Sequence, residues 1–260
     1  MRLAMGIEYR GSDFFGWQRQ DGLRTVQEEL ENALSLVADA KVSAVCAGRT
    51  DTGVHALKQV IHFDTPSVRQ DYSWVQGSNS NLPKDISVNW CTRMNELFHA
   101  RYSALSRTYK YIILNRKFRS GVSYDSANWI ANRLDESKMT SAASLLVGKH
   151  DFSAFRARGC QAKSPVKEIK AIFVSRFDDY VVISVEADGF LQRMVRNIAG
   201  LLIEIGANRK QPTWAREVLA SKCRSMGGVT APPQGLYLVN VEYPEKYGIP
   251  EMPVSLTLGL

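Results

Sequence analysis

Within the stretch CAGRTDTGVHA, residues 46–56, a single carboxylate, Asp51, is set among Arg49, two threonines, Gly53 and His55. The apolar run VSAVCA leads into it and VIHF follows, so the acid falls at the mouth of a strand. An acid in such a loop either caps the next segment through its oxygens or performs acid–base or nucleophilic chemistry on a bound substrate. Arg49 bears on that choice. Two residues apart on an extended backbone, its side chain and that of Asp51 point to the same side, and a neighbouring guanidinium keeps a carboxyl ionised. Gly53 allows a turn, or the close approach of a ligand that a side chain would block. His55 reads as a structural residue that bonds the loop.

The other reactive side chains are not spaced for chemistry. Cys46, Cys91, Cys160 and Cys223 are scattered with no close pair, which argues against a zinc site or a disulfide framework. His55, His62, His99 and His150 make no metal-ligand spacing with cysteines or acids, so no metal is expected. The sequence has neither a phosphate-binding loop nor a dinucleotide fingerprint, and no cofactor is expected.

Charge points to a partner. The chain carries a formal +7 with a pI near 9.2, and the excess is regional. Residues 101–170 hold 14 Lys and Arg against 5 Asp and Glu, leaving the remainder of the chain slightly acidic. There Arg101, Arg107, Lys110, Arg116, Lys117 and Arg119 alternate with Tyr102, Tyr109, Tyr111 and Phe118, a mixture that suits phosphates and exposed bases together. Arg156, Arg158 and Lys163 are further candidate phosphate contacts.

The elements that must carry these residues alternate between strand and helix. RLAMGIEY reads as a strand and RGSDFFGWQRQDG as a loop in which Trp17 is an anchor. TVQEELENALSLVA opens on Thr25 with Glu28 three residues on, the pattern of a capping box, and continues with apolar residues at helical spacing. VSAVCA, LKQVIHFDT and ISVNWCTRM read as strands, with DYSWVQGSNSNL a short helix. The second half runs through a long strand in FHARYSALSRTYKYIILN, the helix DESKMTSAASLLVG, the loop HDFSAFRARGCQAKSP and the strands VKEIKAIFVSRF and DYVVISVEAD. In GFLQRMVRNIAGLLIEIGA, Leu191, Met194, Val195, Ile198, Leu202 and Ile205 form an apolar stripe, with Arg193, Arg196 and Asn197 on the other side. A short helix, WAREVLASK, and a last strand, LYLVNVEY, close the pattern. The expected fold is α+β: two similar halves, each a mainly antiparallel sheet flanked by helices, residues 1–100 carrying the Asp51 loop and 101–260 the basic segment. The start of the chain lacks a leader pattern and no apolar run reaches the length of a bilayer span, so a soluble, cytoplasmic protein is expected.

GRTDTGVHA resembles the active-site signature of the TruA family, tRNA pseudouridine synthase I. The similarity extends through FFGWQRQ (14–20), FHARYSALSRTYKYII (98–113), HDFSAFR (150–156), MVRNIAG (194–200) and TAPPQGLYL (230–238), in family order and over nearly the whole chain. The resemblance implies isomerisation of uridine to pseudouridine at positions 38, 39 and 40 of the tRNA anticodon stem-loop. It also implies a homodimer whose RNA-binding clefts are shared by both subunits, with the active site in a cleft between the two halves. Asp51 matches the catalytic aspartate and Arg49 the residue implicated in base flipping. Tyr109 matches the tyrosine that stacks on the target uracil, and Arg196 a basic residue expected beside the acid, with which it would pair. Two rivals stay open, a pseudouridine synthase acting on a different RNA and a non-catalytic RNA-binding protein.

Overall fold

The computed structural model describes residues 1–251. Of the C-terminal stretch EMPVSLTLGL, to which the sequence assigns no role, all but Glu251 lie outside the described residues. The chain divides into two compact units, which among the described residues are Met1–Arg107 with 237–251, and Thr108–Leu236. The sequence reading sets its boundary near residue 100 and gives the whole C-terminal part to the second half. The structure instead returns the last strand to the first unit, an assignment that element order along the chain does not reveal.

In the first unit β1 (Arg2–Tyr9) is central, antiparallel to β3 (His55–Asp64) on one side and to β4 (Ile86–Met94) on the other. The two-residue strand β2 (Val45–Cys46) joins β3 antiparallel, and β10 (Leu236–Glu242) joins it in parallel through Tyr237 and Leu238. Leu3, Met5 and Ile7 alternate with Ala4 and Gly6 along β1, and all five are buried, as a strand covered on both faces requires. Helices α1 (Val26–Ala38) and α2 (Asp71–Asn81) pack on each other, and α2 lies against β4. The face of α1 that carries Val26, Leu30, Ala33, Leu34 and Ala38 is buried, and each buried leucine stabilises by roughly 1.5–3 kcal/mol.

Two local expectations are corrected here. Helix α1 begins where the capping box predicts, yet no box forms: Thr25 Oγ1 is buried without a hydrogen-bond partner. Glu28 pairs with Arg19 at 3.2 Å and Glu29 with Arg24 at 3.3 Å. The predicted strand VSAVCA is cut to Val45–Cys46. Side chains of α1 capture its earlier amides, Ser35 Oγ accepting from Val42 N at 3.0 Å and Glu31 Oε1 from Ala44 N at 2.9 Å, so no ladder forms there.

In the second unit β9 (Tyr180–Ala187) lies between β5 (Ser106–Asn115) and β8 (Val166–Phe177), and β7 (Gly148–Asp151) pairs antiparallel with the first residues of β8. The division between the units falls just inside the start of β5, which also carries the short parallel strand β6 (Asn128–Ile130). Helix α3 (Glu136–Ser144) packs on α4 (Met194–Gly206) and on β8, and α5 (Trp214–Ser221) touches α3. Asp135 caps α3 by accepting from Lys138 N at 3.0 Å. The long strand expected over 98–115 begins only at Ser106; the residues before it form a loop, and within HDFSAFRARGCQAKSP the structure adds β7 and a single 3-10 turn. The α+β class holds, each unit being a mainly antiparallel sheet flanked by helices.

Candidate active site

The loop between β2 and β3 carries Asp51, half-buried, and Arg49, exposed. Its backbone is held at several points. The carbonyl of Ala47 accepts from Arg107 Nη2 at 3.0 Å and Nε at 3.3 Å. The buried amide of Gln59 grips Gly48 on both sides, Nε2 donating to its carbonyl at 2.6 Å and Oε1 accepting from its N–H at 3.3 Å. Thr50 accepts from Trp17 N at 3.0 Å through its carbonyl, while its Oγ1 lies 2.8 Å from Tyr9 Oη. Past the acid, Val54 N donates to Asp51 O at 3.1 Å and Gly53 N to Phe14 O at 3.3 Å. Gly53 has φ +77°, so the turn the sequence suggested does use its lack of a Cβ.

His55 is buried, and its Nδ1 accepts a hydrogen bond from Gly11 N at 3.1 Å. Its ring stacks on Tyr237 with centroids 4.6 Å apart. This is the structural place the sequence reading gave it. Trp17 is likewise an anchor, fully enclosed. Burial pushes the Cys46 thiol up to about 12, which keeps it protonated and inert beside the loop. Burial also raises the Tyr9 phenol, so the Tyr9–Thr50 bond is one between neutral hydroxyls.

Tyr109 and Arg196 belong to the second unit. Tyr109 is on β5, its ring buried and meeting Phe190 edge-on at 5.2 Å. Arg196, half-buried in the first turn of α4, donates from Nε to Ala231 O at 2.8 Å, while its own carbonyl accepts from Ala231 N at 3.1 Å. That reciprocal pair exists because the backbone of 229–231 lies against the helix at Gly200, where a Cβ would come within 1.9 Å of Val229 O.

Asn197 corrects the sequence reading, which put it on the polar side of the helix. It is buried, donating to Phe155 O at 2.7 Å and accepting at Oδ1 from Arg224 at 3.0 Å and Thr230 at 2.7 Å. Arg224 also binds the carbonyls of Gly227 and Gly228, closing a network that fixes the segment opposite Arg196. The sequence reading missed Tyr9, Gln59 and Arg107 as supports of the Asp51 loop, and Asn197, Arg224 and Thr230 as supports of Arg196. The available signal was a polar side chain inside an apolar run, as with Gln59 in KQVIHF and Asn197 in RNIAG, because a buried amide must find partners.

Of the basic residues, Arg116, Lys117, Arg119, Arg158 and Lys163 are exposed. Arg156 instead staples its own loop, Nη2 donating to Cys160 O at 2.6 Å and Ala162 O at 2.8 Å. Among the described residues no group of three or more His, Cys, Asp or Glu is gathered to hold a metal, and no helix is long and apolar enough to cross a membrane. What the first unit offers is one carboxylate on a rigid loop with an exposed guanidinium two residues away.

The family model described as tRNA pseudouridine synthase matches residues 5–103 and 142–244. A tRNA pseudouridine synthase A from Nitrosococcus oceani is 50% identical over 258 residues, 99% of this chain and 100% of that protein. Proteins of the same name from Coxiella burnetii and Vibrio campbellii are 52% and 48% identical, each over 98% of this chain and 97% of their own length.

Proposed function

This chain belongs to the tRNA pseudouridine synthase family, and from that premise we propose that Asp51 is its catalytic carboxylate and that its substrates are uridines 38, 39 and 40 of the anticodon stem-loop. The enzyme is an isomerase that makes pseudouridine in tRNA. The N1–C1′ bond of a uridine breaks, the uracil turns, C5 bonds to C1′, the C5 proton leaves and N1 takes one up. No atom is gained or lost, and the overall change requires neither oxidant nor nucleotide.

An ionised carboxylate serves such a reaction in either of two ways. It attacks C1′ and is later displaced by C5, or it removes the C2′ proton to give a glycal and returns it. Asparagine does neither. The observation that carries this reading is the fixation of the Asp51 loop: side chains of Tyr9, Gln59 and Arg107 and the backbones of Phe14 and Trp17 hold it from Ala47 to Gly53. Catalysis by a single charged group depends on such preorganisation, because a misplacement of about 1 Å costs roughly a hundredfold in rate.

The target uridine must leave its stack, at a cost of a few kcal/mol. Arg49, exposed on the same loop as the acid, is assigned to that extrusion, and Tyr109 and Arg196 to binding the substrate, Tyr109 by stacking on the uracil. The exposed Arg116, Lys117 and Arg119 are assigned to tRNA phosphates. The protein acts as a homodimer in the cytoplasm and needs no cofactor.

The test is the pseudouridine map of tRNA from a strain lacking this protein. Loss of pseudouridine at 38, 39 and 40 supports the assignment. Unchanged positions there, with loss in another RNA, identify a different substrate for the same chemistry.

A further inference from the structure

We infer that Arg107 is a positioning residue for catalysis, a clamp that sets the height of the Asp51 loop; this rests on Asp51 being the catalytic acid. Arg107 is 9% exposed. Its guanidinium converges on carbonyls from two separate segments: Ala47, four residues before Asp51, and Arg101 and Ala104 in the loop ahead of β5. A guanidinium is a rigid planar fork with five donors, so carbonyls bound around it are fixed relative to one another in distance and angle.

The second segment is itself anchored. Tyr243 Oη donates to Ala100 O at 2.5 Å, Leu105 N to Glu242 O at 2.7 Å, and Ser106 Oγ to Glu242 Oε2 at 2.8 Å. Beside it, His62 Nδ1 accepts from Ala100 N at 3.1 Å. A continuous path therefore runs from the end of β10 through residues 100–106 to Arg107, and through Arg107 to Ala47. Beyond Ala47 the chain reaches Asp51 in four residues, with Gln59 holding Gly48 and Tyr9 holding Thr50. Bringing a cation into the protein to bind backbone carbonyls is a costly way to fill space, and an apolar side chain would fill it more cheaply. The geometry gives the charge a task, which is to hold Ala47 O where no uncharged side chain of that length presents so many donors.

The experiment compares Arg107→Ala with wild type and with Asp51→Asn on unmodified tRNA, under conditions where circular dichroism shows each variant folded. The expected result is a fall in kcat of about a hundredfold with KM for tRNA within about threefold. Guanidinium ion at millimolar concentration should restore kcat in Arg107→Ala by at least tenfold, because it can occupy the vacated site, whereas sodium chloride at equal ionic strength and urea should not. A folded Arg107→Ala with kcat within twofold of wild type, or a loss that guanidinium restores no better than urea does, overturns the inference.

Should Arg107→Ala fail to fold, Arg107→Gln carries the test. A fall in kcat of tenfold or more at unchanged KM supports the clamp, and wild-type kcat refutes it. Asp51→Asn separates the two readings. If that variant is active, the assignment of Asp51 falls; if it is inactive while the Arg107 variants keep their kcat, only the clamp falls.

Discussion

Tyr9 Oη and Thr50 Oγ1 lie 2.8 Å apart inside the first unit, one residue before Asp51 along the chain. The bond is local to the acid rather than to the general core. Tyr9→Phe removes one hydroxyl and leaves its partner buried, which costs about 1–3 kcal/mol in a urea titration. Because Thr50 neighbours Asp51, kcat on tRNA should fall by up to about tenfold while KM stays nearly constant. A Tyr9→Phe enzyme with the stability loss and full kcat would show that this contact serves folding alone.

Gly200 tests the setting of Arg196 in the same spirit. A Cβ there would meet Val229 O at 1.9 Å, so Gly200→Ala must push the 229–231 segment off α4 and break the paired bonds between Arg196 and Ala231. We expect a loss of about 2–3 kcal/mol in thermal unfolding and a marked fall in turnover. Gly121→Ala, where nothing lies within 4 Å of an added Cβ, should be silent in both.

His62 sets a pH limit on stability. It is buried, and its Nδ1 must stay unprotonated to accept from Ala100 N. Burial above all, then His99 and Arg2, lower it to about 4. The unfolded chain takes up that proton near pH 6.5 and the folded chain only near 4, so this contribution is whole above 6.5 and is lost as pH falls to 4. The loss is at most about 3 kcal/mol at the lower end. His62→Asn keeps an acceptor and cannot titrate, and its urea midpoint should vary less between pH 6.5 and 4.5 than that of wild type.

The sequence made the reaction legible more readily than its supports. Asp51, Arg49 and Gly53 stand in one short string, and the turn at Gly53 and the structural place of His55 were both readable there. Helices α1 and α4 followed from apolar spacing. The errors share one cause: side chains that replace or redirect backbone pairing leave no periodic signal. Ser35 and Glu31 take the amides that would have lengthened β2, and Thr25 looks like a cap while its buried hydroxyl finds no hydrogen-bond partner. Asn197 sits on the polar side of a helical projection and is buried because Arg224 and Thr230 reach it from 27 and 33 residues further along the chain. The return of β10 to β3 is likewise a long-range pairing, with no mark in the local sequence of either strand.

The basic loop after β5 gives a prediction in salt. Lys117 and Arg119 are exposed there beside Phe118. If each meets one phosphate, replacing both with alanine lowers the slope of log K against log salt for tRNA binding by about 1.8, with kcat unchanged. An unaltered slope would remove these two residues from the RNA surface.

The central claim concerns the oxygens of Asp51, and the most direct measurement is release of tritium from tRNA labelled at uracil C5. Wild-type protein should liberate the label. Asp51→Asn should liberate none while binding the same tRNA within about tenfold of wild-type affinity, a difference of about 1.4 kcal/mol at most. Label release by Asp51→Asn at a rate near that of wild type would contradict the account.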